Sequence, residues 1–148
     1  MAGRKQLPHG LPLWLDDPSA EVYFLTICAR EREKQPLLDG DTATYLIESI
    51  RFYNEAGRWR VNLAVIMPDH VHLLASFDAK QSQTVRAWKH WTARNLGVLW
   101  QRDFFEHRLR REEQTTEKVL YILNNPVRAG LVETWEKWPH LWIAERPV

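Results

Sequence analysis

The fold is decided by residues 60–77, which read RVNLAVIMPDHVHLLASF. The runs on either side of Pro68-Asp69 are apolar and rich in β-branched residues, and this dipeptide is typical of a turn because proline presets its φ angle. The stretch therefore predicts two antiparallel strands. Side chains alternate between the two faces of a strand, so His70 and His72 are expected to lie on the same face of the second one.

Two imidazoles on one face of a strand are a ready pair of metal ligands. A His-x-His pattern is common, however, and a pair of histidines that are simply hydrogen-bonded on a sheet face is the alternative interpretation. Imidazoles by themselves favour zinc, copper, iron or nickel over magnesium, so the residues leave the identity of the metal open.

The rest of the chain completes an α+β pattern. Apolar residues at helical or strand spacing, with glycine and proline between them, mark the remaining elements. Strands are predicted at 22–28, 60–67, 70–77 and about 98–110, and helices at 43–53, 82–96 and 112–124. This order is that of a ferredoxin-like β-α-β-β-α-β antiparallel sheet, with an additional C-terminal helix that carries Tyr121 and is closed by Pro126 and Gly130.

Length and composition indicate one globular domain over residues 1–148, with an irregular basic lead-in at 1–20 and a Trp-rich tail at 133–148 that packs over the core or covers the site. No stretch approaches the 18 apolar residues of a transmembrane helix, and the N-terminus lacks the apolar segment of a signal peptide. Cys28 is the only cysteine, which excludes an internal disulfide and suits a reducing compartment. We therefore expect a cytoplasmic protein without a membrane partner.

A second motif, Tyr121 to Pro126, reads YILNNP. If it is helical, Tyr121 and Asn125 share a face at i,i+4 spacing. A tyrosine hydroxyl beside a metal can attack a phosphodiester. The alternatives are a core tyrosine among apolar neighbours and an asparagine that merely ends a helix before proline.

Basic residues gather in the second half of the chain, although the net charge is only +1. Between Lys80 and Arg128 there are ten Lys or Arg and five Asp or Glu. The group favours a polyanionic partner, whereas each member alone also fits a solvated charged surface. The candidate phosphate contacts are Arg86, Lys89, Arg94, Arg102, Arg108, Arg110, Arg111 and Arg128. Eight tryptophans add rings that stack on bases or fill the core.

Three segments together resemble a known family. They are Met67–Leu74, Trp100–Arg108 and Tyr121–Val132. In this order and spacing they resemble the REP-associated tyrosine transposases, a branch of the IS200-like single-tyrosine transposases named for a His-hydrophobic-His motif. The resemblance extends over residues 22–132.

The resemblance implies a site and a reaction. It implies that His70 and His72 bind Mg²⁺ or Mn²⁺, that Asn125 is the third ligand and that Tyr121 is the nucleophile. The implied substrate is single-stranded DNA carrying hairpins, the REP-like palindromes, and the implied intermediate is a 5′-phosphotyrosine. It also implies a protein associated with the bacterial nucleoid. Residues 4–12 do not align with the segment that reads a guide sequence in relatives.

Two other interpretations remain open. One is a domesticated DNA-hairpin-binding module with little or no cleavage. The other is a structural metal domain, although two histidines and one amide leave coordination positions free, as catalytic sites do. The long tail after Val132 favours a monomer over a homodimer.

Overall fold

The computed structural model describes residues 21–77, 80–109 and 112–144. The predicted lead-in therefore lies outside the described residues, as do Arg110, Arg111 and the last four residues of the predicted tail. In the part of the chain that is described, no helix has the length and apolar character needed to cross a membrane.

One antiparallel sheet of five strands organises the described residues. Its strand order is β4-β1-β3-β2-β5. The order of the first four strands, β4-β1-β3-β2, is that of a ferredoxin-like sheet, so the predicted fold is confirmed. In chain order the elements are β1 (Val22–Cys28), α1 (Thr42–Glu55), β2 (Arg60–Ile66), β3 (His70–Ser76), α2 (Gln81–Leu96), β4 (Phe105–Leu109), α3 (Glu112–Leu123), α4 (Asn125–Arg128) and β5 (Leu141–Ile143).

The central hairpin forms as the turn sequence predicts. β2 and β3 pair antiparallel, and the Met67 N–H donates to the His70 carbonyl across 2.8 Å to close the turn. On its other side β3 pairs with β1, so that His72 lies opposite Thr26 and His70 opposite Cys28. The two histidines therefore begin a strand that is hydrogen-bonded along both edges.

Each face of the sheet packs against a different set of helices. The odd-numbered side chains of β3, such as Val71 and Leu73, join α1 and α2 in the larger core. The opposite face meets α3 and the C-terminal segment in a smaller core that includes Leu74, Val119 and Trp138. Because strand side chains alternate, the histidines belong to this second face.

Apart from shifts of one or two residues at the ends of elements, three features differ from the predictions. Within the predicted strand at about 98–110, only Phe105–Leu109 is a described strand. The tail does pack over the core, but it also adds β5 to the edge of β2. Pro126 does not close the last helix: the chain turns at Asn124 and resumes as α4. Proline has no N–H to donate to the carbonyl four residues earlier, which explains an interruption at this point.

Candidate active site

The histidine pair lies at the start of β3, with both rings on the α3 face. The Nε2 atoms of His70 and His72 are 3.2 Å apart, and the ring planes are nearly perpendicular. The side chain of His70 is 13% exposed, and His72 is buried. The sequence-based expectation that the two imidazoles converge is met by this geometry.

The other ring nitrogens are held by neighbouring side chains. His70 Nδ1 lies 2.6 Å from Asp69 Oδ1, and the second oxygen of Asp69 accepts a hydrogen bond from Arg32 Nε at 2.9 Å. His72 Nδ1 lies 3.1 Å from Thr26 Oγ1. A carboxylate that accepts from Nδ1–H fixes the ring orientation and leaves the Nε2 lone pair free, as in metal-binding histidines.

Both histidines are held in the neutral form. Burial, reinforced by His70, lowers the pKa of His72 to about 3. Burial also lowers the pKa of His70, although the Asp69 carboxylate opposes that shift. Neutral imidazole is the form that binds metals, so both rings are ready to do so near neutral pH.

The side chain of Asn125 lies beside His70. Its amide nitrogen is 3.2 Å from His70 Nε2, and rotating the amide by half a turn would present the carbonyl oxygen at the same place. Within residues 21–77, 80–109 and 112–144, no three His, Cys, Asp or Glu side chains form a metal-binding group. A metal at this site would therefore use Asn125 beside the two imidazoles.

The spacing of these donors fits a divalent cation. An ion that binds nitrogen at about 2.1 Å holds two adjacent nitrogens about 3.0 Å apart in octahedral geometry and about 3.4 Å apart in tetrahedral geometry. The observed 3.2 Å between the His70 and His72 nitrogens lies between these values. The residues therefore fit a divalent metal ion, but their spacing does not identify which metal.

Tyr121 lies near the end of α3 and faces the same corner. Its side chain is 48% exposed, and its ring centroid is 6.5 Å from that of His72 and 6.4 Å from that of Phe24. Phe24 in turn stacks on His72 at 5.2 Å. Despite the interruption at Asn124, the structure brings Tyr121 and Asn125 to the histidine pair together, as their spacing predicted.

Two cations flank the Tyr121 ring. Arg128 places its guanidinium 4.0 Å from the ring centroid and donates from Nη2 to the Tyr121 carbonyl at 2.7 Å. Lys118 Nζ lies 5.2 Å from the same ring and 4.8 Å from the ring of Phe24. The site is therefore cationic around the tyrosine, which suits an anionic substrate.

Most of the other candidate phosphate contacts lie on the face of the sheet opposite the histidines. Arg86 and Arg94 are exposed on α2, across the sheet from the histidines. Arg108 is paired across the strands with Tyr23, whose side chain packs on the larger core, so Arg108 is on that same face. Its Nη1 atom lies 3.3 Å from Glu21 Oε1. Arg102 is exposed before β4. DNA contacts by these residues stay a prediction.

Lys89 has a different environment from the other basic residues. It is 9% exposed, and its ammonium group donates to the carbonyls of Gln101 and Arg102, both at 2.8 Å. Burial lowers its pKa. These bonds tie α2 to the segment before β4, so Lys89 stabilises the protein whether or not it also contacts DNA.

Comparison with known proteins identifies the family. The family model described as "Transposase IS200 like" matches residues 21–124, most of the described chain. The chain belongs to the IS200-like transposase family. The chain is 29% identical to the REP-associated tyrosine transposase of Escherichia coli K12, over 80% of this chain and 73% of that one. It is 28% identical to a Haemophilus influenzae protein provisionally given the same name, over 80% of this chain and 77% of that one.

A solved structure agrees with this assignment. It is described as a REP-associated tyrosine transposase bound to a REP hairpin, and it superimposes on this protein with a TM-score of 0.72 at 26% identity. The match covers 82% of this chain and 76% of the other. The fold and the family of this chain are thereby established.

Several residues of the site were not singled out from the sequence. Thr26 and Phe24 approach His72 only because β1 pairs with β3 in one register. The alternation along β1 shows that Thr26 and Phe24 share a face, but it does not show which strand pairs with β1. Asp69, in contrast, could have been predicted as a partner of His70, since it directly precedes His70 in a turn.

Proposed function

We propose that this protein is a metal-dependent endonuclease and strand transferase that acts on single-stranded DNA at hairpins. The observation that carries the proposal is the convergence of Tyr121, His70, His72 and Asn125 on one corner of the sheet. The family and the relative bound to a REP hairpin support the substrate class.

Each residue of the site has a role in the proposed reaction. His70, His72 and Asn125 would hold Mg²⁺ or Mn²⁺, the amide oxygen making the site harder than two imidazoles alone. When bound, the cation supplies charge neutralisation and Lewis acidity at the scissile phosphate. Three protein donors leave coordination positions for phosphate and water, as a catalytic site requires.

Tyr121 is the proposed nucleophile. Its phenolic oxygen forms a bond to phosphorus while the bond from phosphorus to the 3′ oxygen breaks, giving a 5′-phosphotyrosine and a free 3′-hydroxyl. The phosphodiester bond is exchanged, not hydrolysed, so the 3′-hydroxyl of the same or another strand can reverse the step without ATP. Arg128 and Lys118 hold the ring and offset negative charge where the phosphate approaches.

The DNA would also contact the end of the sheet where β3 begins. Lys89 links the second half of α2 to the segment 101–102. In the same region Trp100 pairs with Ala29, which directly follows Cys28, the residue opposite His70. Arg94 and Arg102 are exposed on these elements. A hairpin that follows this edge would meet cations on both faces, with its single-stranded flank at Tyr121.

The deciding experiment is adduct formation. Purified protein is incubated with labelled hairpins that carry randomised single-stranded flanks and Mn²⁺, and products are resolved on a denaturing gel and mapped by mass spectrometry. We expect a covalent adduct on Tyr121 that is lost in Tyr121→Phe. Tyr45→Phe is the matched control, because Tyr45 is equally exposed, at 49%, on the other face.

Metal dependence is tested in the same assay. The adduct should disappear on chelation and in His70→Ala, and persist in His90→Ala, which alters an exposed histidine on α2. Tight hairpin binding without an adduct on any flank would contradict the proposal and favour the DNA-binding module.

A further inference from the structure

An exposed phenylalanine lies at the edge of the sheet beside the candidate active site. Phe105, the first residue of β4, is 70% exposed, the highest value among the large apolar side chains that the structure describes. Leu109, at the other end of the same strand, is buried in the core beneath α3. The helix that covers one end of β4 therefore leaves the other end open.

The strand register places Phe105 in line with the histidines. Phe105 lies opposite Thr26 on β1, and Thr26 lies opposite His72 on β3. Directly paired residues of antiparallel strands project their side chains to the same face. Phe105 is therefore on the face of the candidate active site, two strand spacings or about 10 Å from His72.

The surroundings of Phe105 suit a nucleotide. His107, two residues along the same face, is exposed, and Arg102 is exposed on the segment that leads into β4. The nearby carboxylate of Glu106 alternates to the opposite face. Asp103, beside Arg102, is also exposed, so charge alone does not mark this surface. An open aromatic face with an exposed imidazole two residues along the same strand face is a surface on which unpaired bases can stack.

We propose that Phe105 is a base-stacking ledge for a nucleotide of the single-stranded flank, close to the phosphodiester that Tyr121 attacks. This inference rests on the proposed function and adds a subsite to it. Stacking would hold the flank against the sheet, so that the adjoining phosphate lies across Thr26 toward the histidine pair. Since any base has a flat face, the ledge would position the strand with little preference for sequence.

The test is a double-mutant cycle between the side chain and the base. A DNA hairpin with an oligodeoxythymidylate overhang is made with one abasic site, moved along the overhang, and binding is measured by fluorescence anisotropy. All proteins carry Tyr121→Phe, so that the DNA stays intact. At one position we expect the abasic site to weaken binding by about 5- to 150-fold, and to have no further effect in Phe105→Ala.

Two variants serve as controls. Phe105→Tyr keeps an aromatic ring and should retain the sensitivity to the abasic site. Phe52→Ala removes another phenylalanine that is 65% exposed, but on α1 across the sheet, and should bind like the parent protein. Because Phe105 is exposed, its replacement should leave the melting temperature unchanged, which separates the loss of stacking from misfolding.

The outcomes distinguish this inference from the function on which it rests. If Phe105→Ala binds every overhang as the parent does, while the protein with Tyr121 intact still forms its adduct, the ledge is refuted and the function stands. If no hairpin or overhang binds, both are refuted. A concentration-dependent dimer that Phe105→Ala abolishes would assign the ledge to a second copy of the chain and overturn the proposal.

Discussion

The two faces of the sheet differ in how completely they are covered. On the α1–α2 face, Trp59 and Trp88 are no more than 1% exposed, and their indole N–H groups donate to the Ile50 carbonyl and to Ser49 Oγ. On the α3 face, Leu74 and Val119 are fully buried, but burial gives way at the corner of His70, where the half-exposed Tyr121 lies.

This difference separates stability from chemistry. The covered face buries Trp59, Trp88 and Trp100, each with its indole donor paired, which is the condition under which an aromatic core is most stabilising. The other face combines a core with a corner in which imidazoles, an amide and a phenol remain accessible. A substitution on the first face should therefore change stability, and one at the open corner should change chemistry.

The largest expected effect is on the covered face. Trp88→Ala should lower the free energy of unfolding by about 3–5 kcal/mol, because it leaves a cavity between α2 and the sheet and removes the hydrogen bond that Ser49 Oγ accepts. Urea denaturation measures the loss. Trp91→Ala, on the same helix but 41% exposed, should lose far less. Equal losses in the two variants would contradict the contrast between buried and open positions.

The open corner should respond to metal by a smaller amount. Mn²⁺ at a hundred times its dissociation constant should raise the free energy of unfolding by about 2.7 kcal/mol, measured as a higher melting temperature. His72→Gln should abolish this gain, and His90→Gln, on the opposite side of the sheet, should keep it. A gain that survives His72→Gln would place the metal elsewhere.

The smallest expected effect concerns how Tyr121 is held. Arg128→Gln removes a cation 4.0 Å from the ring, an interaction worth about 0.5–1 kcal/mol, so adduct formation should slow by about 2- to 5-fold. The rate is measured at saturating DNA, beside Arg58→Gln, which removes an exposed cation 5.5 Å from the Tyr53 ring on the other face. If Arg128→Gln weakens binding but leaves this rate unchanged, Arg128 only contacts phosphate.

Much of the fold was predictable from local pattern. The turn at Pro68-Asp69 and the alternation that follows it predicted the central hairpin and the shared face of the two histidines, and Gly97 ended α2 in the left-handed conformation typical of a helix terminus. These features depend on neighbours in sequence, which is why sequence alone predicts them.

The features that the sequence did not predict depend on tertiary contacts. β5 has three residues, too few for a strand pattern, and forms because the edge of β2 is available for pairing. Lys89 and Arg86 have the same charge and lie on the same helix, yet only Lys89 points to carbonyls of a distant segment. The sequence also did not reveal that this helix packs across the sheet from the candidate site.

The strand order has a consequence for how the site behaves in time. β1 and β3, which carry Thr26 and His72, are interior strands with partners on both sides, whereas β4 and β5 form the edges of the described sheet. Edge strands open locally, but an interior strand exchanges its amide hydrogens only in larger openings. The corner proposed to bind metal should thus keep its geometry while the edge beside it moves, so that DNA could enter without disturbing the two histidines.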